Sequence, residues 1–391
     1  MRILQVTPYF APAFCYGGPP RSVLGLSRAL ARAGVGVEVV TTTANGRTEL
    51  NPSPQSGESE NGFVTYRLPL MFPRRFFGAT GMGRFLELIV HRFDVLHIHG
   101  LWNIPAWLAA QHARRAGIPY VLSPRGMLEP AALRFRASRK RFAYRAIEKR
   151  NLRGASLLHA TSQQEAATLT RLFPDRRVVV VRNGVDLPEP APAGTVRVRL
   201  AIESTAPLVV FLGRLHPIKR LDLLLNAFAE VRLRHPSAVL ALAGPDELGY
   251  ARTLAPLAAK AGGVRFLGTL DDDWKHSLLA DADALVLCSD SENFGGSVAE
   301  ALAASTPVVV TRTCPWRIIE ETGCGLWVEH TADAIATGLL KLLADKPAAR
   351  EMGRLGRTVA ETLLSWDAIA REMIVHYHSL IAREAECPVR P

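Results

Sequence analysis

Glu292 and Glu300 bracket a glycine pair in the run Ser289-Asp-Ser-Glu-Asn-Phe-Gly-Gly-Ser-Val-Ala-Glu300. Glycines at 295 and 296 let a ligand approach the backbone closely, and a helix opening near Gly296 offers unpaired N–H groups suited to a phosphate. Glu300 falls about one turn inside that helix and leans back toward its N-terminus. Glu292 lies in the loop before it. Both carboxylates can flank one anion-binding spot and accept hydrogen bonds from sugar hydroxyls. Two other readings stand beside this one: a solvated loop acid with a helix-capping acid, or a carboxylate pair that hydrolyses glycosides. The phosphate-type loop between the acids argues against the hydrolytic pair.

A second cluster is Gly213-Arg214-Leu-His-Pro-Ile-Lys219-Arg220, directly after the apolar run Leu208–Leu212. If that run is a strand, Arg214 and Lys219 stand at its carboxyl end, where ligands of open α/β sheets bind. A diphosphate leaving group gains charge as its bond to a sugar breaks, and fixed cations stabilise that charge without a metal. Each charge-assisted contact contributes about 1.5–3 kcal/mol. A Lys and an Arg on a merely solvated first turn would oppose the positive end of the helix dipole.

Three weaker features follow. Gly17-Gly18-Pro-Pro-Arg21 forms a glycine loop after the first strand, which a plain turn also explains; it is not GxGxxG, so a nicotinamide site is not indicated. His97-Ile-His99-Gly100 ends another strand, and its imidazoles are expected on opposite faces, with His99 in the cleft and no shared metal. A buried, hydrogen-bonded His99 is the competing reading. Asp271-Asp272-Asp273 resembles a metal-binding DxD but precedes a helical stretch, where capping is the better reading.

The chain has 391 residues and a net charge of +11. Residues 1–190 hold 26 Lys and Arg against 12 Asp and Glu, a surplus of +14; the remainder holds 21 against 24, or −3. The first half therefore points to an acidic partner. Nine cations lie between Arg134 and Arg153, including Arg139, Lys140, Arg141 and Arg145, with aromatic residues interspersed. Met71-Phe-Pro-Arg-Arg-Phe-Phe77 is a second basic and aromatic patch. Such surfaces suit anionic lipid headgroups, although a solvated helix or neutralisation of a pyrophosphate-bearing acceptor fits the longer stretch as well. A nucleic-acid-binding module is a further alternative, with no use for the two glutamates.

Positioning these residues requires two α/β domains. Apolar strands alternate with helices from Ile3–Thr7 to Val178–Arg182 and again from Leu208–Leu212 to Pro307–Thr311, the pattern of parallel sheets covered on both faces. His97–His99 closes the run Val95–His99. Proline-rich residues 188–205 interrupt the pattern as a linker. The domains are expected at 1–187 and 206–360, with residues 361–391 a helix that can pass back to the first. Residues 46–62 read as a mobile loop. Five scattered cysteines include no CxxC pair, so neither disulfides nor zinc is indicated. No apolar run reaches the roughly 18 residues of a membrane span, and no secretion signal is evident. A cytoplasmic protein is expected.

GRLHPIKRLDLLLNAF, VRFLG and SENFGGSVAEALAASTPVVVT, with GGPPRSV, HIHGLW, SPRGML and RNGVD in the first half, resemble the retaining group-1 (family 4) glycosyltransferases, in their exopolysaccharide and O-antigen branches. The resemblance implies the GT-B fold, two Rossmann-like domains facing across a cleft, with the acceptor on the first and a UDP- or GDP-sugar on the second. It implies no cofactor and no required metal. By analogy Arg214 and Lys219 hold the pyrophosphate; Glu292, Phe294, Gly295, Gly296 and Ser297 meet the sugar; and Glu300 binds the ribose. Arg265, Leu267 and Leu270 border the base, His99 lies by the donor sugar, and Gly17 and Gly18 approach the phosphates. Glu292, His99, Arg214 and Lys219 are thus the expected catalytic set, with the leaving phosphate helping to deprotonate the acceptor. The implied role is surface polysaccharide assembly on a glycan or polyprenyl-diphosphate-linked acceptor at the inner face of the membrane, with no nucleic acid. A sugar-nucleotide epimerase or phosphorylase on the same fold is the alternative; the Gly296-Ser297 pair, where many relatives carry larger residues, leaves sugar preference open.

Overall fold

The computed structural model describes residues 1–53, 56–134, 147–189 and 194–386. Arg139, Lys140, Arg141 and Arg145 lie outside them, as does Cys387. The chain divides into two compact units, Met1–Gly184 with Trp366–Pro391, and Val185–Ser365.

In the first unit the strands are β1 (Arg2–Val6), β2 (Gly36–Thr42), β3 (Ala44–Asn45), β4 (Thr48–Glu49), β5 (Glu58–Glu60), β6 (Phe63–Leu68), β7 (Val95–His99), β8 (Tyr120–Ser123), β9 (Leu157–Ala160) and β10 (Val178–Val180). The main sheet runs β10-β9-β8-β7-β1-β2-β6-β5, parallel except for β5, which pairs antiparallel with β6. The polar stretch 46–62 therefore carries a hairpin strand and a sheet edge rather than only a loop. Successive residues alternate between faces. Ile3, Val39, Val95 and Val121 pack with the helices Gly18–Arg32 and Trp366–Glu386, whereas Leu4, Val40, Leu96, Ile98 and Leu122 pack with Met82–Ile89 and Ile104–Ala116.

That last helix explains the split of the chain. Ile369, Ala370, Met373, Tyr377 and Leu380 are buried in the first unit's core, each large apolar side chain contributing about 1.5–3 kcal/mol. Trp366 fills the space left by two glycines: a Cβ at Gly25 would meet its indole at 2.1 Å, and one at Gly184 at 2.4 Å. The residues that follow Gly184 and precede Trp366 run side by side in the second unit, where the Val185 amide donates to the Leu364 carbonyl at 2.8 Å.

The second unit holds β11 (Leu208–Leu212), β12 (Val239–Ala243), β13 (Val264–Gly268), β14 (Ala284–Leu287), β15 (Val308–Thr311) and β16 (Gly325–Val328), ordered β13-β12-β11-β14-β15-β16 and all parallel. The expected linker is shorter than 188–205. Asp281 accepts from the amides of Gly194, Val196 and Arg197 at 2.5, 2.7 and 3.2 Å. Val196 is buried in the second core. A carboxylate far away in sequence thus caps the short helix Thr195–Arg199 and draws it into the unit.

Candidate functional site

Each sheet has one place where the strand order reverses, and loops leaving neighbouring strands there diverge to make a crevice. In the second unit it lies between β11 and β14. The loop after β11 carries Arg214 and Lys219; the loop after β14 carries Glu292. These loops are stapled together. The Asp290 amide donates to the Ile218 carbonyl at 2.8 Å, and Arg220 spans Asp222 and Asp290 at 2.9 and 3.0 Å.

Lys219 forms a short ion pair with Glu292, whose same oxygen accepts from Ser289 Oγ at 2.7 Å. Both side chains are largely buried. Arg214 is exposed and makes no ion pair or hydrogen bond among the described residues. The helix Gly296–Ala303 opens with Gly295 at φ 80° and no side-chain cap. A Cβ at Gly295 would strike Leu287 at 2.8 Å, whereas one at Gly296 would meet nothing within 4 Å. The space beside the start of this helix is therefore clear of side chains at Gly296. Phe294 is held beneath by Trp316, which donates to its carbonyl at 2.5 Å.

Glu300 meets Lys275 at 3.0 Å, and Lys275 also reaches Asp272 at 3.1 Å. Burial opposes the Lys275 charge, but the two carboxylates outweigh it and hold the ammonium above its ordinary value. Two lysine–glutamate pairs thus bracket one uncapped helix end. Asp271 caps its own helix through the Trp274 amide at 2.8 Å, as the capping reading expects. Among the described residues no group of three His, Cys, Asp or Glu is arranged to hold a metal.

Arg265 is a correction. Its guanidinium donates to the Leu200 carbonyl, beside the short helix at the amino ends of β11 and β14, where Arg197 also binds Asp283. It therefore points away from the carboxyl-end loops. Leu267 and Leu270 pack, half-buried, on the second core.

In the first unit the order reverses between β1 and β7. Gly17, at φ 84°, precedes the helix Gly18–Arg32, which also lacks a side-chain cap; Cβ atoms at Gly17 and Gly18 would meet nothing within 4 Å. His97 and His99 do not lie on opposite faces. Two residues apart in a strand means the same face, and their rings are 4.1 Å apart. Both are buried, so the hydrogen-bonded reading of His99 describes the structure and the open cleft position does not.

The network around them has a fixed direction. The Val181 carbonyl can only accept, so His159 Nε2 carries the proton (2.8 Å). His159 Nδ1 then accepts from Ser123 Oγ at 2.5 Å, Ser123 accepts from His97 Nε2 at 2.8 Å, and His97 Nδ1 accepts from Tyr377 at 2.6 Å. Arg125 only donates, so His99 Nδ1 accepts from it at 3.0 Å and Nε2–H donates to Gln5. All three imidazoles are neutral. Burial pushes His97 and His99 well below the usual histidine range, and His159 down to about 3. Arg125, with φ 55°, also reaches Ser22 at 2.8 Å and Asn183 at 3.3 Å. Burial lowers it to about 10.

A family model described as a glycosyl transferase 4-like domain matches residues 17–184, and one for glycosyl transferases group 1 matches residues 194–359. A D-inositol 3-phosphate glycosyltransferase of Frankia alni is 30% identical over 400 residues, covering 94% of this chain and 96% of that protein. The chain belongs to the group 1 glycosyltransferases. An uncharacterized glycosyltransferase of Methanocaldococcus jannaschii is 26% identical across 96% of this glycosyltransferase and 98% of its own length. The fold is GT-B, shared with sucrose-phosphate synthase from Thermosynechococcus elongatus (TM-score 0.75, 24% identity, covering 98% and 100% of the two chains). It is shared too with Anabaena HepE in complex with UDP-glucose (TM-score 0.74, 19% identity, covering 97% and 100%).

Sequence reasoning about this glycosyltransferase missed Lys275, Arg125, Gln5, His159 and Tyr377. Arg125 had a signal, since SPRGML directly follows a strand; Tyr377, on the final helix, had none.

Proposed function

We propose that this glycosyltransferase binds a UDP- or GDP-linked sugar at the β11/β14 crevice and transfers the sugar with retention, without a required metal. The carrying observation is the pair of lysine–glutamate contacts around the uncapped Gly296 helix. A diphosphate competes with Glu292 for Lys219. When it wins, Lys219, Arg214 and the helix amides grip the leaving group, and the freed Glu292 carboxylate accepts from sugar hydroxyls. Phe294, Gly295 and Ser297 shape the sugar pocket, Glu300 takes the ribose hydroxyls, and Leu267 with Leu270 borders the base. Gly17 and Gly18 contribute by keeping side chains away from the start of the Gly18–Arg32 helix; the Gly17 amide itself donates to the Phe14 carbonyl at 3.0 Å. His99 acts through Arg125 and Gln5 rather than as an exposed group. The leaving phosphate helps to deprotonate the acceptor, and no side chain is assigned as the base. That Anabaena HepE is solved with UDP-glucose supports the donor class.

The acceptor is a glycan or polyprenyl-diphosphate-linked saccharide for surface polysaccharide, reached at the inner face of the membrane by a peripheral protein. A second reading, a phosphorylated polyol acceptor, is favoured by similarity to D-inositol 3-phosphate glycosyltransferases. Thermal-shift titration tests the donor: UDP or GDP at 100 times its dissociation constant adds about 2.7 kcal/mol. Glu300→Ala is expected to lower that affinity at least about tenfold. No shift with any nucleoside diphosphate, or an unchanged affinity in Glu300→Ala, would remove the site. Donor turnover without an acceptor would favour an epimerase.

A further inference from the structure

Residues 69–80 form a loop closed at its base. Leu70 and Ala79 make an antiparallel bridge, the Met71 amide donates to the Gly78 carbonyl at 2.7 Å, and Thr80 donates to Pro69 at 3.0 Å. Beyond that neck, residues 71–76 are all exposed: Met-Phe-Pro-Arg-Arg-Phe. Phe72 is 92% accessible, Met71 47% and Phe76 41%. A single exposed apolar residue is ordinary, and the others among the described residues are scattered along the chain. Three within six positions at one tip are not.

The surroundings are cationic. Arg74 and Arg75 belong to the tip, and Arg47 stands in the exposed turn between β3 and β4, its carbonyl accepting from Arg74 at 3.2 Å. Among the described residues Glu49 is the acid paired there, to Arg74 at 2.5 Å. The base is rigid. Phe77, with φ 52°, sets its ring edge-on against Tyr9 at 5.3 Å and Tyr16 at 5.7 Å, and those two rings stack at 4.2 Å. The tip is therefore presented preformed, with little to order on binding. Tyr16 directly precedes Gly17, so the same aromatic base borders the first unit's crevice.

We propose that residues 71–76 are an interfacial wedge, seating Phe72 with Met71 and Phe76 at the headgroup–acyl boundary of an anionic lipid surface while Arg47, Arg74 and Arg75 meet the headgroups. A protruding tip needs no complementary pocket in a fluid interface, and the +14 surplus of residues 1–190 draws the same half of the chain to that surface. The proposal rests on the peripheral-membrane part of the proposed function and assigns the contact to a segment separate from residues 139–145.

Flotation with phosphatidylglycerol–phosphatidylcholine vesicles tests it, with phosphatidylcholine alone as control. The intact protein is expected to float with the anionic vesicles only. Phe72→Ser is expected to lower partitioning at least about tenfold with an unchanged thermal midpoint, because the side chain touches little. Phe72→Trp is expected to add blue-shifted emission quenched by brominated lipid. If the intact protein floats, Phe72→Ser floats equally and the new tryptophan is not quenched, the wedge is overturned while membrane association stands. If the intact protein ignores all vesicles, both fall. A dimer that Phe72→Ser abolishes, with no lipid binding, overturns the lipid in favour of a second copy of the chain.

Discussion

The two crevices of this glycosyltransferase are built on the same strand-order reversal but are filled in opposite ways. In the second unit, the loops after β11 and β14 and the helices beside them carry charges in exchangeable pairs: Lys219 with Glu292, Lys275 with Glu300, and Arg214 exposed. In the first unit, the ends of β7, β8 and β9 carry a neutral chain from Tyr377 through His97, Ser123 and His159 to the Val181 carbonyl. Ion pairs at a half-buried mouth give way to a charged ligand at modest cost. A buried network with every proton assigned does not, since breaking it strands polar groups in low dielectric. One crevice is made to exchange partners, and the other to hold a shape around Arg125.

The largest effect expected from this contrast is on stability. Unfolded imidazoles titrate near 6.5, whereas His97, His99 and His159 stay neutral when folded, His159 down to about 3. Between those values the unfolded chain binds protons that the folded one refuses. Stability therefore falls as pH drops below about 6.5, by about 1.4 kcal/mol per unit for each histidine, and is unaffected by them above about 7. Urea midpoints measured at neutral and mildly acidic pH check this; a flat profile would mean solvated histidines and erase the contrast.

Next in size is Lys219→Ala, expected to lower kcat/KM about 100-fold, or about 2.7 kcal/mol, with the first unit's acid sensitivity untouched. Full turnover in that variant would show that the pair with Glu292 is only structural. Smallest is Lys275→Met. Glu300 loses its counter-ion but keeps its place, so the donor KM should rise about fivefold, near 1 kcal/mol, with kcat unchanged and with recovery in Lys275→Arg. A fall in kcat instead would move Lys275 into the reacting centre.

Much of this was legible in the chain. The runs Leu208–Leu212 and Val95–His99 are continuous apolar strands of parallel sheets, and the residues just past such strands are where chemistry collects, which brought out Lys219, Glu292 and Glu300. Failures had physical causes. The imidazoles were assigned to the wrong faces although period two fixes them together. Arg265 was placed beside the base by the resemblance, yet its side-chain direction depends on Leu200, 65 positions away. Lys275 and Tyr377 depend on how one helix sits against another, which no local pattern encodes. Asp281 drew residues 194–197 out of the linker in the same way.

The return of Trp366–Glu386 to the first unit means that the half of the protein made first cannot close its core until the last helix has been made. Val185–Ser365 holds every residue of its own core and borrows nothing from Trp366 or Tyr377. The earlier-synthesised half must wait with an open groove beside Gly25 and with His97 lacking its last donor. A chain ending at Ser365 would therefore strand the half that was translated first, while the half translated later stays whole.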